Sequence, residues 1–67
     1  MRQITAKGLI SEYKNDGFKY ITIETKDAQD IVYDVSYDIT YHNTGMHINT
    51  SYGHVFVYYD NIIGIAV

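Results

Sequence analysis

Asp30, Asp34 and Asp38 recur at every fourth position, and Tyr33, Tyr37 and Tyr41 keep the same spacing beside them. In an extended strand, side chains four residues apart return to one face, so the pattern sets carboxylates on one face and phenol rings on the other. A row of carboxylates can act as general acids, ligate calcium, or present negative charge to a partner. Calcium takes about six to eight oxygens, mostly from a tight loop, which a strand does not supply. Two uses remain: outward charges that keep a sheet edge from pairing with other chains, and recognition of a basic partner.

Tyrosine strengthens the second use. The chain has eight Tyr, two Phe and no Trp, so tyrosine supplies nearly all its aromatic surface. Tyrosine is favoured at protein interfaces, where the ring buries area and the hydroxyl meets the wet rim. The candidate binding residues are therefore Asp30, Asp34, Asp38, Tyr33, Tyr37, Tyr41 and Tyr52. The same rings could stack on single-stranded nucleic acid, as aromatics do on small barrels, with Lys7, Lys14, Lys19 and Lys26 and with Tyr13 or Tyr20. Charge argues against it. Every Lys and Arg lies in the first 26 residues, the remainder carries five Asp, and the whole chain is −3, whereas such grooves need positive charge. An acidic inhibitor that imitates DNA phosphates through Asp30, Asp34 and Asp38 is a third reading.

His42 and His47 flank a turn signal, and cross-strand neighbours on one face lie close enough to share a metal ion, with Asp38 or His54 as a further ligand. Two His beside an exposed loop are more often solvated turn residues, so the sequence predicts no metal site. Ser11, Ser36 and Ser51 lack a strained-turn nucleophile motif, and no phosphate-binding, dinucleotide-binding or H-E-x-x-H pattern is present. The sequence predicts no enzyme activity and no cofactor.

These residues need elements to hold them. Sixty-seven residues make one small domain, spanning 1–67, with a thin core. Without Cys there is no disulfide or thiolate cage to brace it, and small scaffolds of that kind often gain stability by oligomerising. Period-two alternation dominates, most clearly from Asp30 to His42, a run long enough to predict a bend or change of partner near Ser36 to Asp38. Three hairpins are expected. One turns at Lys14-Asn15-Asp16-Gly17 and pairs Tyr13 with Phe18, Ile10 with Ile21 and Lys7 with Glu24. The next turns at Asn43 to Met46 and pairs His42 with His47, Ile39 with Thr50 and Tyr37 with Tyr52. The last turns at Asp60-Asn61 and pairs Tyr59 with Ile62. Thr25 to Gln29 is expected as one helical turn or a loop.

The predicted class is all-β: a small antiparallel meander of five to six strands, bent into an SH3-like or Sm-like barrel, or an open sheet completed by oligomerisation. Those labels describe architecture and carry no function. The expected function is a non-enzymatic protein-binding module acting through an acidic, Tyr-rich surface, with the protein partner unidentified and a homo-oligomer anticipated. No apolar run approaches the roughly 20 residues of a membrane span, and the N-terminal residues lack a signal-peptide core, so a cytoplasmic protein is expected. Ile, Tyr, Asn and Lys, all with AT-rich codons, make up 26 of the residues. That points to a low-GC bacterium, or to a small regulator or inhibitor carried by its phage or mobile element.

Overall fold

The computed structural model describes residues 1–67. Its first element is a helix, α1 (Gln3–Asn15), where the sequence suggested a hairpin arm. Ala6 and Ile10 are buried, and Leu9 and Tyr13 pack partly buried against the core. Positions 6, 9, 10 and 13 are the i, i+3, i+4, i+7 stripe of an amphipathic helix. Gly17, with φ 91°, ends it: its N–H donates to the Lys14 carbonyl and that of Phe18 to the Tyr13 carbonyl, each at 3.1 Å. These two bonds make a Schellman motif, and the apolar contact that accompanies it is the Tyr13 ring edge-on to Phe18, 5.9 Å between centroids. The Asn-Asp-Gly signal thus stops a helix rather than turning a hairpin. Tyr13 and Phe18 do meet, but the expected pairs of Ile10 with Ile21 and Lys7 with Glu24 do not form.

Six strands follow: β1 (Tyr20–Thr25), β2 (Ile31–Asp34), β3 (Ile39–Tyr41), β4 (Gly45–Thr50), β5 (Gly53–Tyr58) and β6 (Ile62–Ala66). They make two three-stranded antiparallel sheets, ordered β2-β1-β6 and β3-β4-β5. The molecule is therefore mostly β, as expected, with one helix added to the six strands, and its strands do not close into a barrel. The long alternating run breaks as the sequence predicts. It leaves β1 after Asp34, turns through Val35 to Tyr37, and pairs with β4 from Ile39 onward. The Tyr37 N–H donates to the Asp34 carbonyl at 3.1 Å, and the Asp34 carboxylate accepts from the Ser36 N–H at 2.9 Å and the Ser36 hydroxyl at 2.8 Å. Thus a carboxylate on the strand fixes the bend that moves the chain from one sheet to the other.

The β3–β4 hairpin is tighter than expected. His42 N–H donates to the Gly45 carbonyl at 2.9 Å, and Ile39 opposes Ile48 and Thr40 opposes His47, a shift of two from the anticipated register. A two-residue shift keeps every side chain on its face, so Ile39, Tyr41, Met46 and Ile48 still point inward. The third hairpin is absent. Tyr59–Asn61 forms a single 3₁₀ turn, after which β6 pairs with β1 and not with β5. Thr25 to Gln29 is the β1–β2 turn, in which the Asp27 carboxylate accepts from the Thr25 hydroxyl at 2.6 Å and the Gln29 N–H at 3.3 Å.

One core joins all these parts. Ile21, Ile23, Tyr33, Met46 and Ile48 are fully buried beside Ala6 and Ile10 of α1 and Val57, Tyr59, Ile62 and Ile65. No side chain caps the start of α1. Instead the Met1 amino group donates to the Tyr59 carbonyl at 2.8 Å, and the Tyr59 hydroxyl donates to the His42 carbonyl at 2.7 Å. Through Tyr59 the helix start, the 3₁₀ turn and the β3–β4 turn are held as one unit.

Candidate functional site

The odd positions of β2 point into the core, so the even ones face out. Ile31 and Tyr33 lie inward, while Asp30 and Val32 are exposed and Asp34 is half-buried. The β4–β5 turn sits next to this outer face. Gly53 takes φ 134°, a conformation that favours glycine, and the Thr50 hydroxyl accepts from the Tyr52 N–H at 3.2 Å. The resulting tight turn holds Tyr52 clear of the protein, wholly exposed. Between the two lies an open cleft of about 670 Å³, lined by Tyr20, Asp30, Ile31, Val32, Asp34, Thr50, Ser51, Tyr52 and Val55. Its floor is apolar, two carboxylates border it, and Tyr20 and Tyr52 offer exposed rings.

Both carboxylates are oriented by the backbone. Asp30 accepts from the Thr25 N–H at 3.2 Å through Oδ1, and Asp34 accepts from Ser36 through its own Oδ1. Bonds from the Ser36 N–H and hydroxyl hold the Asp34 carboxyl below its usual pKa, with Lys19 adding a smaller electrostatic pull. Asp34 therefore keeps its charge to lower pH than an ordinary aspartate does. In each residue Oδ2 accepts no protein hydrogen bond.

Of the seven residues expected at a binding surface, Asp30, Asp34 and Tyr52 line this cleft. The others do not. Tyr33 is fully buried and its hydroxyl donates to the Tyr37 carbonyl, so its ring belongs to the core. Tyr41 is half-buried beneath the Lys7 ammonium, 5.4 Å from its ring centroid, and burial pushes its hydroxyl up to about pKa 12. Tyr37 is exposed in the bend, and Asp38 lies beyond it, so the bend interrupts the three-Asp row. Val32 is not among the sequence candidates, and Tyr20 enters the sequence reading only as a stacking ring for nucleic acid. Their signal was strand parity: Val32 and Asp34 share a face, and Tyr20 opposes Asp34 in the β1–β2 ladder.

The histidines pair differently from expectation. The two-residue register shift sets His47 opposite Thr40 and parts it from His42; His42 packs at 6.0 Å on Phe56, and His47 meets His54 at 4.6 Å between β4 and β5. No group of three or more His, Asp or Glu is placed to hold a metal ion. Phe56 also stacks edge-on to Tyr58 at 5.1 Å, making an exposed aromatic strip along β5. None of Lys7, Lys14, Lys19 and Lys26 lines a cleft. Arg2 does, in a separate hollow that also includes Asp60. No helix is long and apolar enough to cross a membrane. Comparison of the chain with protein-family models, curated proteins and solved structures finds no match.

Proposed function

We propose that this chain is a non-enzymatic protein-binding module whose recognition surface is the acidic, tyrosine-bordered cleft between β2 and the β4–β5 turn. The observation that carries the reading is the convergence there of Asp30, Asp34, Tyr20 and Tyr52 around an apolar floor. Buried aromatic anchors within a polar border are the usual composition of a protein interface. Action in the cytoplasm, as a small regulator or inhibitor of phage or mobile-element origin, belongs to the same proposal and is supported by composition alone.

Self-association is the second part of the reading. β5 pairs only with β4 and leaves an edge unpaired, whereas β6, paired only with β1, has its outer edge partly covered by α1, whose Tyr13 hydroxyl donates to the Ile65 carbonyl at 3.4 Å. Exposed Phe56 and Tyr58 lie on β5, with Ile63 on β6 and Val67 just beyond it. Unpaired edges with apolar neighbours are templates for another strand. A second copy would complete the open sheets in the manner of a small barrel of the SH3-like or Sm-like kind.

The direct test is affinity capture with the tagged full chain beside its Asp30→Lys, Asp34→Lys double variant, both checked for fold by circular dichroism. A partner retained by the first and lost by the folded variant is the expected result. Equal capture by both would remove the cleft from the account. Nucleic acid is the competing partner. With no lysine at a cleft, single-stranded oligonucleotides are expected not to bind at physiological salt. Micromolar binding that falls steeply with salt and with Lys14→Glu, Lys19→Glu would promote that alternative.

A further inference from the structure

The outer edge of β2 is open as well as acidic, and this defines the shape of what can bind. The Val35 N–H donates to the Lys19 carbonyl at 3.0 Å, which makes 19 and 35 a hydrogen-bonded pair of the antiparallel ladder. Such pairs alternate along a ladder. Opposed pairs 21–33 and 23–31 are therefore bonded, and 20–34 and 22–32 are not. The backbone groups of Val32 and Asp34 consequently point away from β1. β2 has no second neighbour in its sheet, and the Asp34 carbonyl reaches only the Tyr37 N–H of the bend. The Val32 N–H and carbonyl and the Asp34 N–H are left without a backbone partner, in the stretch of β2 that lines the cleft together with Thr50, Ser51 and Tyr52.

We propose that the cleft takes an extended basic peptide by strand addition to β2, a reading that rests on the acidic cleft being the recognition surface. Added strands gain affinity from main-chain bonds and specificity from alternate side chains. The alternate positions here are Asp30, Val32 and Asp34. The guest that fits them carries a cation, then an apolar residue, then a cation, each separated by one residue. The cations meet the free Oδ2 atoms of the two carboxylates, and the apolar side chain lies on Val32 between the Tyr20 and Tyr52 rings. Cross-strand pairs of opposite charge are the favourable ones in a sheet. Net −3 on the chain steers such a guest inward and repels acidic competitors.

The experiment uses the full chain and a fluorescein-labelled peptide, acetyl-Thr-Lys-Thr-Val-Thr-Lys-Thr-amide, followed by anisotropy at low and physiological salt. Two control peptides are informative: one N-methylated on backbone amides of the central five residues, the other with both Lys placed next to each other. The expected result is saturable binding by the first peptide, weakened roughly tenfold or more by N-methylation, as loss of two or more backbone bonds requires, and weakened also by adjacent Lys, which leaves one carboxylate without its cation. Asp30→Asn with Asp34→Asn, which keeps an acceptor at each local bond, is expected to weaken binding by a similar factor. Amide exchange at Val32 and Asp34 is expected to slow in the complex. Equal binding by the N-methylated peptide, with the Asp→Asn loss retained, overturns strand addition and leaves the acidic cleft as a charge-recognition surface. Absence of peptide binding also overturns strand addition, while partner capture with the Lys double variant still decides separately whether the cleft is used at all.

Discussion

Tyrosine in this chain does two jobs, and burial sorts them. Tyr33, Tyr41 and Tyr59 pack in or against the core, and burial raises the pKa of each hydroxyl, Tyr41 to about 12. Tyr20 and Tyr52 remain exposed at the cleft. The buried set has a consequence for pH. A folded-state value above the unfolded one means that stability is fully present below pH 10 and is lost as pH rises through the folded values. The urea midpoint is therefore expected to hold to about pH 10 and to fall between there and pH 12, and Tyr41→Phe is expected to make that fall shallower. A midpoint unchanged to pH 12 in the native chain would contradict the burial of these hydroxyls. Sequence spacing could place Tyr33 and Tyr41 on one face of a strand with Ile31 and Ile39, yet it could not say whether that apolar face would meet the core or a partner. The carboxylates were easier to read, because even positions opposite an Ile and Tyr row have to face water. Asp34 still held a surprise, since its fourfold spacing to Asp38 concealed a side chain that fixes the bend between them.

Elements were legible where local pattern and distant packing agreed. The alternation from Ile31 to Tyr41 and its break near Ser36 were plain, because both follow from side-chain period and strand length. The helix was missed for a physical reason. Ile4, Ala6, Gly8 and Ile10 also alternate, and Lys7 has a plausible charge partner in Glu24 across the expected hairpin. Leu9 and Tyr13, which complete the helical stripe with Ala6 and Ile10, were the better guide, together with Gly17 in position to end it. Two glycines test this account. Gly8 lies inside α1 with nothing within 4 Å of an added Cβ, so Gly8→Ala is expected to raise stability by roughly 0.5–1 kcal/mol, the propensity difference between the two residues. Destabilisation would argue against a helix at that position. Gly45 is the opposite case, since an added Cβ would lie 2.7 Å from the Phe56 ring and run into the Val57 carbonyl. Phe56 could swing away, but the carbonyl belongs to the β4–β5 ladder. Gly45→Ala is expected to cost about 1–3 kcal/mol, as overpacking does, and chemical denaturation of both variants would report the two opposite signs. The third expected hairpin failed for a different reason: Asp60-Asn61 does turn the chain, but β6 is apolar on both faces and accepts β1 as readily as β5. Local sequence cannot decide between partners 40 residues apart.

For the molecule as a whole, two sheets share one core, and the chain connects them twice: through the β2–β3 bend, and through the 3₁₀ turn between β5 and β6. At the first connection the strand runs on with a change of partner. At the second the two strands part: β5 keeps a free edge, while the β6 edge is met at the Ile65 carbonyl by the Tyr13 hydroxyl. A particle of 27 × 25 × 21 Å has little interior with which to offset such edges, because a domain this small buries only about 60% of its unfolded surface. Ile63, 63% exposed on β6, shows where the deficit falls. Pairing β5 of one copy with β6 of the next would be heterologous, joining two different edges, and would close into a ring if the rotation between copies divides a full turn. Light scattering across micromolar concentrations is expected to report a mass above 7.7 kDa. Ile63→Lys sets a charge on the β6 edge, the device by which natural sheets prevent such pairing, and is expected to shift the mass toward one chain without changing the circular dichroism. A native chain of 7.7 kDa at every concentration would sink the assembly. A variant that keeps the full mass would place the contact elsewhere. The β2 and β3 edges are the remaining candidates; if β2 is the one used, peptide binding at the cleft should compete with self-association, which the same scattering measurement detects when peptide is added.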